Sequence, residues 1–252
     1  MKRLGFILAV LAITGAAHSA DLPLPPFSPS WSWTGVYVGA NGGYGWANTN
    51  WSFPQTQFFA DVGGQNFSTS PAGGMAGGQI GINKQSGNWV FGVEFTGDWA
   101  NLTETLVGPV SPTFPADAWA TKVHDVETLT GRIGYAMNNW LFYGKAGGAT
   151  GSVNLHAFSG LPVSDLLFDN TQRLWGATVG AGIEYAWTSN IILGVEYDYT
   201  RLSNGSFNGT GVCTAAASCV TDNGDAVNVG GNSAVQVQSV LGRISYKLGL
   251  GS

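Results

Sequence analysis

Along "GVYVGANGGYGW", residues Gly35 to Trp46, bulky and small positions alternate. Val36, Val38, Ala40, Tyr44 and Trp46 fall on one side, and Gly35, Gly39, Asn41, Gly43 and Gly45 on the other. A period of two predicts a β-strand. The pattern recurs in eight segments, at 33–46, 74–84, 89–100, 123–136, 140–152, 174–187, 191–200 and 234–248. The links "QSGN" (85–88), "MNN" (137–139) and "TSN" (188–190) are short. The connections 47–73, 101–122, 153–173 and 201–233 are long, and the two kinds alternate without exception. All tight turns therefore gather at one end of an antiparallel assembly and all long loops at the other. This predicts an all-β, eight-stranded, up-and-down barrel with the asymmetry of a transmembrane barrel: short periplasmic turns and long extracellular loops.

Soluble up-and-down barrels also reach eight strands, so the position of the aromatics decides between water and lipid. On the apolar side, Trp33, Trp89, Tyr135, Trp140, Trp187 and Tyr246 fall at the short-turn ends, and Trp46, Trp99, Trp175 and Tyr199 at the long-loop ends. The intervals 33 to 46, 89 to 99 and 175 to 187 span about 25 to 33 Å along the normal for tilted strands, the height of a hydrocarbon slab. A sandwich core has no reason to collect aromatics at strand ends. The bulky face is therefore expected to meet lipid, and the glycine face a narrow interior.

The inner face carries charge. Counted from the short-turn end, Glu94, Arg132, Lys145, Glu184, Glu196 and Arg243 lie at similar depth, with Tyr37 and Gln79 level with them. These eight residues are expected to form one polar ring, with Glu94 meeting Arg132 and Glu196 meeting Arg243, because an unpaired ion in a dry lumen is costly. Such a ring has two readings, a selectivity filter or a plug. An eight-strand interior is just wide enough to be filled by side chains, which favours the plug.

Composition narrows the setting. Lys2 and Arg3 precede the apolar run Leu4 to Ala17, and small residues follow, so residues 1–19 read as a signal peptide cleaved after Ser19. Residues 20–32 hold the Pro-rich stretch "DLPLPPFSPS", an extended periplasmic tether ahead of the barrel at 33–248. Without Lys2 and Arg3, fifteen acids face eight bases, which argues against nucleic acid as a partner. In an exported chain Cys213 and Cys219 are expected to form one disulfide closing a short loop, contributing on the order of 2 kcal/mol.

No catalytic, metal or cofactor site is expected. Beyond the signal the histidines are His124 and His156, both at or within long connections, and no G-x-S-x-G occurs. His124 beside Asp125 reads as a solvated pair at a loop edge. Trp51, Phe53, Phe58, Phe59, Phe114 and Trp119 fall in the long connections, where they would be exposed contacts or would pack on each other or on lipopolysaccharide.

The mature start "ADLP", the motif W-x-G-x-Y-x-G-x-x-G-G-Y-G-W from Trp33 to Trp46, and "GVEFTGDW", "GIEYAW", "GVEYDYT" and "GRISYKL" together resemble the alphaproteobacterial outer-membrane β-barrel family of porin-like surface antigens. The resemblance covers nearly all the mature chain. It implies the OmpA-type barrel fold, integral location in the outer membrane, and a role in envelope integrity and surface exposure, with a small diffusion porin or a loop-mediated adhesin as alternatives. Implied partners are outer-membrane lipids and lipopolysaccharide, the barrel-assembly machinery, and peptidoglycan joined covalently through the mature amino terminus, here Ala20 and Asp21. The terminal aromatic of the family is replaced by Leu248, so that recognition during assembly either rests on Tyr246 or is weaker.

Overall fold

The computed structural model of the chain describes residues 31–52, 66–107, 118–159, 165–212 and 226–248. The signal and most of the tether, including Ala20 and Asp21, lie outside the described residues, as do Cys213 and Cys219. The described residues form nine strands: β1 (Gly35–Ser52), β2 (Asn66–Thr69), β3 (Ala72–Ser86), β4 (Trp89–Val107), β5 (Ala118–Met137), β6 (Trp140–Ser159), β7 (Asp165–Ala186), β8 (Ile191–Val212) and β9 (Ala226–Leu248). Each pairs antiparallel with its neighbour in the order β2-β1-β3-β4-β5-β6-β7-β8-β9, and β1 also pairs with β9. That last ladder, from Val36↔Leu248 to Ser52↔Asn232, closes the ring. Eight strands build the wall, and β2 continues the line of β3 beside the far end of β1.

The short turns share one device. Gly87 (φ 59°) and Asn138 (φ 53°) take the left-handed position that a two-residue hairpin requires. An asparagine then fastens each turn to the next hairpin. Asn88 Nδ2 donates to the Ala136 carbonyl at 3.1 Å, Asn139 Nδ2 to that of Ala186 at 3.1 Å, and Asn190 Nδ2 to that of Lys247 at 2.9 Å. Backbone bonds return from Ala136, Ala186 and Lys247 to the same three asparagines.

The barrel strands run 15 to 23 residues, from β3 to β9. A tilted strand crosses a bilayer in about 9–11 residues. Much of the sequence expected as long loop is therefore strand, and the wall continues well beyond the membrane. Its polarity inverts on the way. Between the aromatic bands Val93, Phe95, Leu129, Ile133, Val179, Val195 and Ile244 face outward and exposed, while charged residues face inward. Beyond the upper band Leu102, Val123, Val153, Leu155, Leu202, Val235 and Val237 face inward, and Asn48, Asn50, Asn101, Thr103 and Thr105 face out. The projecting half is built like a soluble barrel, because water now lies outside it. Alternation persists through the change, and only the sense of the alternation reveals it. A register shift at His124 alters the phase of β5, so Val123 and Val126 both stay inside.

Most of the expected aromatic girdle faces outward. Trp89, Tyr135, Trp140, Trp187 and Tyr246 stand exposed toward the turn end, and Trp99 and Trp175 toward the loop end, with Trp46 and Tyr199 half-buried. Trp89 packs edge-on against Tyr135 with ring centroids 5.4 Å apart. Trp33 is the correction. It is 2 % exposed and lies inside the barrel mouth, in an apolar cluster with Trp31, Val90, Ala136, Leu141, Tyr143, Ala186 and Ile192. The reason is parity, since Trp33 and Trp46 stand an odd number of residues apart and must point to opposite sides of a regular strand. Trp51 and Trp119 are buried as well. Trp51 Nε1 donates to Thr121 Oγ1 at 3.1 Å, and Trp119 lies 5.5 Å from Phe67, so both serve the upper core.

Candidate functional site

The interior is layered. Toward the turns lies the apolar cluster around Trp33; toward the loops lies the core around Leu102, Leu155 and Leu202; between them lies a buried ionic network. Two parts of the chain build that network in the same way. In the first, Tyr37, Gly81 and Glu94 are register partners on β1, β3 and β4, and the Tyr37 hydroxyl passes over the bare α-carbon of Gly81 to donate to Glu94 Oε2 at 2.7 Å. In the second, Tyr143, Gly182 and Glu196 are register partners on β6, β7 and β8, and the Tyr143 hydroxyl donates to Glu196 Oε2 at 2.6 Å. A Cβ would meet the tyrosine hydroxyl at 2.3 Å on Gly81 and 2.4 Å on Gly182, so only glycine fits either place.

An arginine follows on the next strand in each part. Arg132 pairs with Gly92, and Arg243 with Gly194. The sequence repeats accordingly, with "GVEF" at 92–95 and "GVEY" at 194–197, then "GRIGY" at 131–135 and "GRISY" at 242–246. Strands β1, β3, β4 and β5 thus form one four-strand unit and β6 to β9 another. Their tyrosine, glycine, glutamate and arginine correspond position by position.

The two units lock together across the lumen. Arg243 binds Glu196 of its own unit and Glu94 of the other, both as close ion pairs. Arg132 lies 3.3 Å from Glu94 Oε2 and 2.8 Å from Glu184 Oε2, and its guanidinium stacks 3.9 Å from the Tyr143 ring centroid. Lys145 Nζ reaches Glu196 at 2.7 Å, Asp198 at 3.1 Å and Glu94 at 3.8 Å. Glu94 is 0 % exposed. Glu94, Arg132, Lys145, Glu184, Glu196 and Arg243 thus each have more than one partner of opposite sign, as a charge withdrawn from water requires, and Asp198 meets Lys145.

Seven of the eight residues expected in the ring, Tyr37, Glu94, Arg132, Lys145, Glu184, Glu196 and Arg243, belong to this connected network. Gln79 lies one step nearer the loops, donating to Ser245 Oγ at 3.0 Å and accepting from Asn41 at 3.1 Å. Its place explains itself by comparison of the units. The register row Gly39, Gln79, Thr96 in one unit corresponds to Lys145, Gly180, Asp198 in the other. One unit fills the layer from its second strand with a neutral amide, the other from its first strand with a lysine. Tyr143 and Asp198 also join the network, and sequence reasoning left both out of the ring. Inward parity on β6 marks Tyr143 as the counterpart of Tyr37, and this is the signal that finds it.

Outside the lumen, Arg173 forms a three-residue cluster with Glu127 at 2.6 Å and Asp125 at 3.1 Å on the outer wall. His124 lies in β5 and His156 in β6, rather than in loops, with His156 Nδ1 3.4 Å from Asp169. Among the described residues no group of three or more His, Cys, Asp or Glu is placed to hold a metal ion.

A closed antiparallel ring, apolar outside between two aromatic bands and ionic within, is the architecture of an outer-membrane β-barrel. The family model described as "Outer membrane protein beta-barrel domain" matches residues 6–232, and the chain belongs to that family. It is 33 % identical over 193 residues to a 22 kDa outer membrane protein of Rhizobium leguminosarum bv. viciae, covering 72 % of this chain and 74 % of that one. It is 31 % identical over 211 residues to a 25 kDa outer-membrane immunogenic protein of Brucella abortus, covering 79 % and 83 %. Among solved structures, the outer membrane protease OmpT of Escherichia coli superposes with a TM-score of 0.51 at 11 % identity, over 90 % of this chain and 99 % of that one, which reflects shared fold alone. The protein is an integral outer-membrane barrel of the alphaproteobacterial type, and the two relatives named are an outer membrane protein and an outer-membrane immunogenic protein.

Proposed function

We propose that the protein is a structural element of the envelope: a closed barrel that strengthens the outer membrane, presents its projecting half to the surroundings, and is joined to peptidoglycan through its mature amino terminus. The observation that carries this reading is the filled lumen. The ionic network lies between two clusters of buried apolar side chains, so an ion crossing the barrel would have to break buried salt bridges and also pass two zones lined largely by apolar groups. That speaks against a diffusion porin. A catalyst would need a nucleophile beside a base, and the ionised side chains of the network, Glu94, Arg132, Lys145, Glu184, Glu196 and Arg243, are already engaged with one another.

Lipids and lipopolysaccharide surround the outward Val, Ile and Phe side chains and the aromatic bands, and the barrel-assembly machinery inserts the chain. For the wall attachment, the Ala20 α-amine attacks an activated acyl carbon of a wall peptide, forming an amide as the activating group leaves and the amine gives up a proton, and the proline-rich composition of "DLPLPPFSPS" suits a tether. Two measurements test the reading. Refolded protein in a planar bilayer should be electrically silent, and steady conductance would return it to the porins. Detergent-washed peptidoglycan digested with muramidase and protease should yield a stem peptide joined to the Ala20 amine by mass spectrometry. Full recovery of the protein in the wash would remove the attachment.

A further inference from the structure

The residues just ahead of β1 are built into the barrel. Trp33 lies inside the periplasmic mouth against Val90, Leu141, Ala186 and Ile192, and Trp31 packs edge-on against it with ring centroids 5.9 Å apart. The strap is moored at its rim. The Trp33 backbone N–H donates to Gln85 Oε1 at 2.7 Å, and the Gln85 N–H to Thr34 Oγ1 at 3.0 Å. Lys247 Nζ donates to the Ser32 carbonyl and stands 4.6 Å over the Trp31 ring.

The seat is incomplete in one respect. The indole Nε1 of Trp31 and that of Trp33 are both buried with no hydrogen-bond partner among the described residues. Packing and a few rim bonds therefore hold the two rings, while each indole would regain a partner on meeting water. The wall behind them is held far more firmly, because from Gly35 onward β1 is laddered to β3 and from Val36 to β9. A pull on the chain ahead of Trp31 reaches the two rings before it reaches either ladder.

We propose that Trp31 to Thr34 form a removable stopper, seated in the periplasmic mouth, which takes up tension on the amino-terminal tether. Under load Trp33 leaves its seat and admits water to the apolar layer beneath the ionic network, while the strands stay paired. The source of the pull rests on the wall attachment proposed above; the stopper rests on geometry alone.

Thiol accessibility tests the stopper without reference to the wall. Ala136 lies inside the mouth in contact with the Trp33 cluster. In full-length chain with Cys213 and Cys219 replaced by serine, A136C is reconstituted in phosphatidylcholine vesicles and treated with a charged, membrane-impermeant methanethiosulfonate. The thiol should react slowly when Trp33 is present, about tenfold faster with Trp33→Ala, and slowly again with Trp33→Phe. Equal rates in all three folded proteins overturn the stopper. If Trp33→Ala does not fold, as judged by heat-modifiable gel mobility, the double variant Gln85→Ala/Lys247→Ala is used. It removes the Gln85 Oε1 and Lys247 Nζ moorings, keeps the backbone bond from Gln85 N–H to Thr34, and leaves both rings in place. Its thiol should also react faster, and an unchanged rate overturns the proposal equally.

Discussion

The Tyr37 hydroxyl lies 2.7 Å from the Glu94 carboxylate although a whole strand separates the two residues. It gets there because Gly81, the register partner of both, has no side chain. The same three-strand bridge from Tyr143 over Gly182 to Glu196 makes a symmetric prediction. Gly81→Ala and Gly182→Ala should each destabilise the barrel by about 1–3 kcal/mol through overpacking. Gly131→Ala, whose new Cβ would point into open space on the outer wall, should be close to neutral. Urea unfolding in detergent micelles checks all three, and equal effects at Gly81 and Gly131 would show that the bridges are not tight.

Arg243 and Arg173 each pair with more than one carboxylate, but in different surroundings. Arg243 is buried between Glu94 and Glu196, whereas Arg173 meets Asp125 and Glu127 on the exposed outer wall. Removing Arg243 leaves buried acids short of a partner, at a cost of about 3–5 kcal/mol. Removing Arg173 should cost about 1 kcal/mol or less, because water and salt already screen it. Arg243→Lys should rescue only part of the loss, since one ammonium does not reproduce a guanidinium that spans two carboxylates. Matched unfolding curves of R243A, R243K and R173A give the ranking directly.

These contrasts also mark what was legible in the sequence. Alternation and loop lengths gave the barrel and its closure, because the pleat forces every second side chain to one face. The charges of the ring were legible for the same reason. Trp33 was legible but misassigned, since its odd spacing from Trp46 places it inside. The extra strand length was not legible, because the projecting wall keeps the same alternation while polar residues such as Asn48 and Thr103 resemble loop composition. Bonds across the lumen, such as Arg243 to Glu94 between β9 and β4, depend on side-chain reach and carry no signal in local periodicity.

The inverted polarity of the wall predicts unequal responses to the same kind of substitution at two heights. Val93→Arg, facing lipid between Trp89 and Trp99 on β4, should destabilise the inserted barrel by about 2–4 kcal/mol. Thr103→Arg, also outward but on β4 above Trp99, should be tolerated within about 0.5 kcal/mol because water surrounds it. Folding titrations in vesicles of defined chain length separate the two. Similar penalties at both positions would mean that the membrane reaches the upper strands.

The projecting half should also be reachable from outside intact cells. Asn50 lies on β1 beyond Trp46, outward and exposed, and pairs with Ser68 of β2 and Ala234 of β9. Gly87 and Asn138 lie in turns at the opposite end. A cysteine at Asn50, in the background lacking Cys213 and Cys219, should react with an impermeant maleimide on whole cells. Cysteines at Ser86 or Asn139 should react only after the outer membrane is permeabilised. Asn50 is preferred over a loop position because the flanking ladders hold it in place, so labelling reports the height of the wall itself. If Asn50→Cys were protected on cells but reactive in micelles, lipopolysaccharide would cover the projecting strands, and the surface available to the surroundings would shrink to the connections between them. If it reacted only after permeabilisation, the barrel would be inserted the other way up, against the argument from the short turns.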